Sequence, residues 1–252
     1  MEADKLYQQL EKDFIAPGLS DDWGEWLAPI AGFVCDNFKR RSMGLVCDFN
    51  EEINKVYAAV FPSNAVMEKI LSDGAQNAML FVHHPAVWNI AAPQVFLPPE
   101  AGLLRQFKNN GISVYNLHVP LDNFGEYSTS VSLARVLGIK IEKAFAPYFG
   151  ALCGVFGQTE LTLIGDLKDK FEKAVGHKCG LYRYGLDGIA KKKVAVVAGG
   201  GNEAGLLKEI ADEGVNVLLT GIIAKNEFSK PAHEFAKKIG RASCRERVYH
   251  PV

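Results

Sequence analysis

An internal repeat constrains the fold most. KVYAAVFPSNAVMEKILSDGAQNAMLFVHH, from Lys55, and KVAVVAGGGNEAGLLKEIADEGVNVLLTGI, from Lys193, run in step. Each opens Lys-Val and continues as an apolar strand. A turn follows, Pro62-Ser63-Asn64 in one and Gly199 to Asn202 in the other. Apolar residues then recur at helical spacing: Val66, Met67, Ile70 and Leu71 against Leu206, Leu207 and Ile210. Asn64 and Asn202 are predicted helix N-caps, and Gly74 and Gly214 predicted stops. A second buried strand closes each repeat, Ala78 to Val82 and Val215 to Thr220. Strand–helix–strand units cross over right-handed and pair their strands in parallel. The expectation is an α/β fold of two duplicated, pseudo-symmetric βαβ-containing halves packed into one compact unit. The first half takes residues 1–138 and the second residues 139–238.

The remaining segments fit that frame. Leu6, Leu10 and Phe14 mark a surface helix with one buried stripe. A helix is predicted over Pro98 to Asn110, with Leu103, Leu104 and Phe107 on one side, and Ile112 to Leu117 is the next strand. Ser128 to Leu137 is a helix stopped by Gly138, Ile139 to Phe156 is extended, and Asp166 to Val175 is a helix before Gly176.

Ile239 to Val248 reads IGRASCRERV, one frame of a common short-read sequencing adapter. Residues 239–252 are therefore expected to be a non-native, adapter-derived tail, with the natural sequence leaving off near Lys238. Cys244 and His250 receive no functional weight on that reading.

Bulk properties exclude several classes. A formal charge of 28 − 29 = −1 lacks the basic footprint of a nucleic-acid binder. No apolar run has bilayer length, and the acidic N-terminus lacks a signal-peptide layout. Five scattered cysteines, none in C-x-x-C spacing, point to reduced thiols in cytoplasm rather than a disulfide framework or a cysteine zinc site.

The chemistry concentrates at two strand ends. His83 and His84 end the first repeat's second strand, and Pro85 pushes the preceding residue toward an extended conformation. Adjacent strand residues face opposite ways, so both imidazoles share a site only where the strand ends and bends. The next strand also ends in polar groups, His118-Val119-Pro120-Leu121-Asp122. Ligands of parallel α/β sheets bind beyond the carboxyl ends of the strands. Three imidazoles and a carboxylate there suit zinc, iron, manganese, nickel or cobalt, and a bound ion acidifies water toward a nucleophile at neutral pH. The alternative is structural: a strand-end histidine pair held by hydrogen bonds and His118 as a satisfied core histidine.

Phe81 to Pro85 (F-V-H-H-P) and Asn116 to Asp122 (N-L-H-V-P-L-D) resemble the NGG-one-interacting factor three family. Its members are labelled dinuclear-metal hexameric proteins or GTP cyclohydrolase I type 2 homologs. Asp36-Asn37, Met43 to Cys47, Val194 to Gly201 and Leu218 to Gly221 extend the likeness over roughly residues 30 to 238. The resemblance implies His83, His84, His118 and Asp122 as ligands of two divalent metal ions, a homo-hexameric ring, and metal-dependent hydrolysis of a small molecule or nucleotide such as GTP. It equally admits a metal-stabilised, ring-forming interaction or regulatory protein without catalysis. The family completes its site with a His and a Glu four residues apart, where the adapter-like tail begins here, so the ligand set is expected to be incomplete in this chain, with metal bound weakly or at one site only. Val119-Pro120 also replaces the family's usual Thr-Asn, removing a polar side chain behind the ligands.

Weaker signals receive bland readings. Gly199-Gly200-Gly201-Asn202 is a tight turn, with a phosphate cradle as the alternative. Glu227, His233 and Glu234 lie on a solvated face, because neighbours in sequence do not share a helix face. Lys191-Lys192-Lys193 opens an exposed edge strand. Trp23, Trp26 and Trp88 are apolar bulk, and Trp88 lies close enough to His84 in sequence to wall the site.

Overall fold

A computed structural model of the chain describes residues 1–88, 95–222, 225–227, 229–240 and 242–245, the last of these by backbone alone. It forms two compact units, Met1–Leu121 and Asp122–Val252. The first contains α1 (Ala3–Phe14), α2 (Gly24–Leu27), α3 (Asp36–Arg41), β1 (Gly44–Cys47), β2 (Lys55–Ala59), α4 (Asn64–Ser72), β3 (Ala78–Val82), β4 (Val87–Trp88), β5 (Phe96–Leu97), α5 (Ala101–Asn109), β6 (Ile112–Asn116) and most of α6 (Val119–Asp122). The second contains α7 (Thr129–Val136), β7 (Lys140–Tyr148), β8 (Ala151–Gln158), α8 (Ile164–Val175), β9 (Gly180–Tyr182), β10 (Lys193–Gly200), α9 (Ala204–Asp212), β11 (Val217–Ile222), α10 (Lys230–Lys238) and β12 (Ala242–Arg245). Helix α7, read from sequence as the close of residues 1–138, packs in the second unit against β7, β8 and β10.

Each repeat forms a parallel strand pair around its helix: β2 with β3 around α4, and β10 with β11 around α9. The first sheet runs β1-β6-β3-β2, with β3 and β6 parallel and β1 antiparallel at one edge. The period-two pleat sends alternate residues to opposite faces. Ala78, Leu80 and Val82 of β3 and Ile112 and Val114 of β6 join Met67, Ile70, Leu103, Leu104 and Phe107 from α4 and α5. Met79 and Tyr115 face the other way, toward Ala3 and Tyr7 of α1. Tyr7 stacks on Tyr115 at 5.8 Å and donates to Asn50 Oδ1 at 3.0 Å. With helices on both faces, the central strands are near-continuously apolar. Each fully buried Leu, Phe or Met contributes about 1.5–3 kcal/mol.

The second sheet runs β7-β8-β10-β11-β12-β9. Val194 and Val196 of β10 face Ile164, Leu167 and Phe171 of α8, while Ala195 and Val197 face Leu207 and Ile210 of α9 and Ala232 and Ala236 of α10. The segment read as extended from Ile139 to Phe156 is the β7–β8 hairpin. Of the tail, the backbone of residues 242–245 pairs with β11 and β9. His250 and the Cys244 side chain lie outside the described residues. Cys35 and Cys47 are free thiols. No helix among the described residues is long and apolar enough to cross a membrane.

Several local expectations need correction. Ser63, not Asn64, caps α4, its hydroxyl accepting from the Val66 N–H at 3.3 Å. Asn64 is already helical and bonds Glu100. Glu203, not Asn202, precedes the first turn of α9. The helix read from Pro98 starts at Ala101, with Glu100 extended at its N-cap. The lysine run does not open an edge strand: β10 lies between β8 and β11, and Lys193 pairs with Glu142 at 2.8 Å. Gly199 and Gly200 end β10 rather than opening the expected turn, and Gly201 after them is closely packed. Gly201 donates its N–H to the Ile222 carbonyl at 3.1 Å, and a Cβ on Gly201 would stand 2.5 Å from Thr220 Oγ1. That N–H is spent within the fold rather than aimed at an anion.

Near the end of α8, Glu172 is only 9% exposed. Its carboxylate accepts from Lys168 Nζ at 2.6 Å, the Cys179 N–H at 2.8 Å and Lys178 Nζ at 3.0 Å. The Lys168 ammonium first, then the Cys179 N–H, push its pKa from 4.5 down to about 2. The unfolded chain takes up this proton near 4.5, whereas the folded chain resists until about 2. The unfolded state therefore binds more protons across that window, and stability falls as the pH drops through it. Thermal melts over this range should show a steeper acid loss for the parent than for Glu172→Gln; parallel profiles would refute the assignment.

Candidate metal centre

Strands β3 and β6 are parallel neighbours in register, Val82 beside Asn116, so their carboxyl ends release the next residues at one rim. His83 and His84 leave β3 still tied to β2: their N–H groups donate to the Ala59 and Val60 carbonyls at 3.3 and 2.9 Å. The Asn116 side chain donates its amide to the His83 carbonyl, and the Leu117 N–H donates to the Val82 carbonyl. These bonds bend the strand end so that both imidazoles serve one site. Ring centroids lie 4.6 Å apart for His83 and His84, 4.7 Å for His84 and His118, and 5.1 Å for His83 and His118. One donor nitrogen from each lies within 4.8 Å of the others, and among the described residues this is the one His/Cys/Asp/Glu group of three or more so arranged.

The ring nitrogens are distinguished by their partners. His83 Nδ1 lies 3.0 Å from the Leu117 carbonyl, and His118 Nδ1 lies 3.0 Å from Asp21 Oδ2. Carbonyl and carboxylate oxygens only accept, so both Nδ1 atoms carry the proton, and Nε2 is the nitrogen that could take up an ion. His84 differs: its Nδ1 is buried with no hydrogen-bond partner among the described residues. Burial first, then His83 and His118, holds the His84 pKa well below the ordinary imidazole value. Phe61 and Trp23 pack on His84 at 4.9 and 5.7 Å.

Of the four residues read from sequence, the fold brings His83, His84 and His118 together. Asp122 ends α6, four residues past His118, and its carboxylate accepts from Thr129 Oγ1 at 2.6 Å; it is not part of the three-imidazole group. Val119 is fully buried. Sequence reading missed Asp21; Trp23 is buried as the expected apolar bulk, and its ring also lies 5.3 Å from His118. Neither sits in a motif, and Asp21 is 97 residues from its partner. His233 is not on a solvated face: it is buried, 2.8 Å from the Tyr184 hydroxyl, while Glu227 and Glu234 are exposed.

The residues fit a divalent ion on their own chemistry. Three imidazoles converge, two with tautomers pinned by their neighbours, and the third has a buried nitrogen lacking a partner. An unsatisfied buried polar atom costs about 1–3 kcal/mol, which a bound cation would remove.

Fold and cluster together define an α/β protein with a histidine site at the carboxyl rim of a parallel sheet. A family model for Duf34/NIF3 (NGG1p interacting factor 3) matches residues 35–239, and the chain belongs to this family. It is 31% identical over 191 residues to a protein of Pyrococcus horikoshii named GTP cyclohydrolase 1 type 2 homolog, covering 73% of this chain and 71% of that one. The fold is shared with the solved structure of protein ybgI, of unknown function, at TM-score 0.71 and 22% identity over 97% of this chain and 85% of that one. It is shared also with reduced HcgD from Methanocaldococcus jannaschii, at TM-score 0.67 and 20% identity over 97% and 86%.

Proposed function

We propose that the chain binds divalent metal through His83, His84 and His118, and hydrolyses a small molecule at that centre. The supporting observation is the imidazole trio with the unpartnered, buried His84 Nδ1. Asp122 is the fourth ligand by family resemblance, and a dinuclear centre of zinc, iron, manganese, nickel or cobalt follows from the same source. A bound ion would supply Lewis acidity and an acidified water. The chain's own groups do the rest. His84, kept neutral by burial, presents a lone pair without first losing a proton. Trp23, Phe61 and Phe96 form an apolar shell; Phe96 meets Trp23 edge-on at 5.0 Å. The substrate class is a nucleotide, with GTP the first to test, on the strength of the relatives' names.

A second reading has its own support. Phe124, Tyr127, Tyr148, Phe149 and Leu152 are exposed apolar side chains of the second unit, and the Phe124 N–H donates to the Leu152 carbonyl at 2.9 Å. An apolar surface of this kind suits self-association, and a metal-stabilised homo-hexamer without catalysis would use it. Elemental analysis and native mass, on protein purified without a histidine tag, test both. Transition metal near stoichiometry in the parent and absent from a His83→Ala/His84→Ala double variant is expected. Metal retained in the double variant would refute the site. Loss of assembly with the metal, without turnover of any nucleotide in the parent, would favour the second reading.

A further inference from the structure

The Asp21–Trp23 segment lies against two of the three imidazoles, Asp21 and Trp23 on His118 and Trp23 on His84. The Asp21 side chain is 3% exposed and its Oδ2 is 3.0 Å from His118 Nδ1. A buried carboxylate is costly unless it is paired and hydrogen-bonded, so its place beside one ring nitrogen is informative. The segment is tethered by the Trp23 N–H, which donates to Ser42 Oγ at 2.9 Å in a buried contact. The Trp23 ring then closes edge-on over His118 and tilts onto His84.

We infer that Asp21 is a positioning residue of the proposed metal centre. It holds His118 as the Nδ1–H tautomer and so directs Nε2 to the ion. Asp21 lies outside residues 35–239 matched by the family model, and this role rests on the metal-binding reading given above. His83 receives the same restraint from a neutral acceptor, the Leu117 carbonyl. Asp21 instead places a carboxylate behind its imidazole, which orients the ring and offsets part of the cation's charge. Asp21 is not itself a ligand, because its carboxylate does not belong to the group of mutually close donor atoms. Both side chains are largely buried, His118 13% and Asp21 3% exposed, so the bond between them acts in a low-dielectric setting where it is strongest.

The test is metal affinity, measured with zinc and with cobalt(II) against a chelator of known strength, on the full chain and its Asp21→Ala and Asp21→Asn variants. Asp21→Ala should weaken binding about 10–100-fold, the range for lost outer partners of ligating histidines. Asp21→Asn keeps an oxygen that accepts from Nδ1–H but lacks the charge, so it should fall between parent and Asp21→Ala; it also carries the test should Asp21→Ala fail to fold. Imidazole nitrogen NMR on metal-free protein, at alkaline pH, supplies a readout that a structural role would not move. His118 should carry its proton on Nδ1 in the parent and shift toward the Nε2–H form in Asp21→Ala. A variant that binds as tightly as the parent overturns the inference alone. Weakened binding with an unchanged His118 tautomer assigns Asp21 a structural role and also overturns it. A parent that takes up neither metal overturns the metal reading and this inference with it.

Discussion

His84→Ala should abolish metal uptake while leaving the fold intact. His84 contributes the central imidazole of the cluster, 4.6 Å from His83 and 4.7 Å from His118 by ring centroids. Removing the outer partner of a ligand already costs about 10–100-fold in affinity, so deleting a ligand should exceed a hundredfold. The backbone bond from the His84 N–H to the Val60 carbonyl survives the change, and the β3–β6 pairing ends before residue 83. The deletion also removes a buried, unpartnered nitrogen, which partly compensates for the lost packing on Phe61 and Trp23. Metal content by elemental analysis and the unfolding midpoint in urea separate the two effects. Stoichiometric metal in the variant would move the site elsewhere; a collapsed midpoint in metal-free protein would make His84 a core residue first.

Phe107→Ala should cost about 3–5 kcal/mol, the range for emptying a buried phenylalanine site. Phe107 is completely buried, on the helix that packs against β6, among Leu104, Leu80, Met67 and Ile112. The neighbours come from two helices and two strands whose backbones are fixed by ladder and helix bonds, so the cavity can collapse only partly. Urea unfolding should show a lowered midpoint with an unchanged slope. Metal stoichiometry should persist wherever the chain remains folded, since Phe107 is not one of the residues proposed to hold the ion. A loss under about 1 kcal/mol would mean that the core relaxes to fill the space, as volume-tolerant sites do.

The two mutations sample different depths of legibility. The fold class and the βαβ repeats could be read from sequence because their signals are local. Periodicity over a dozen residues separates helix from strand, and Gly74 and Gly214 stop their helices with φ of +68° and +72°. Finer detail resisted. Ser63 and Asn64 are both good caps, and only the backbone decides that Ser63 is the extended residue whose hydroxyl reaches Val66. Lys191 to Lys193 look like an edge strand until β8 pairs antiparallel with β10 through Val155, Phe156, Gly157 and Gln158. No local signal in the lysine run announces that partner.

The candidate site divides along the same line. His83, His84 and His118 were legible because each follows directly on an apolar strand, and parallel strands deliver their carboxyl ends to one rim. Their sequence determined the residue types, the strand ends and therefore the neighbourhood. Tertiary structure alone decided which nitrogens are engaged, that His84 is buried and held neutral, and that Asp21 and Trp23 close over the cluster. Asp122 shows the limit from the other side: its spacing from His118 is written in the sequence, yet the hydroxyl its carboxylate takes up, on Thr129, is set by how α7 follows α6. The physical reason is range. Hydrophobic periodicity and strand ends are properties of a few consecutive residues, whereas burial, tautomer and electrostatic environment depend on groups up to 97 residues away, brought in by packing that no short stretch of sequence encodes.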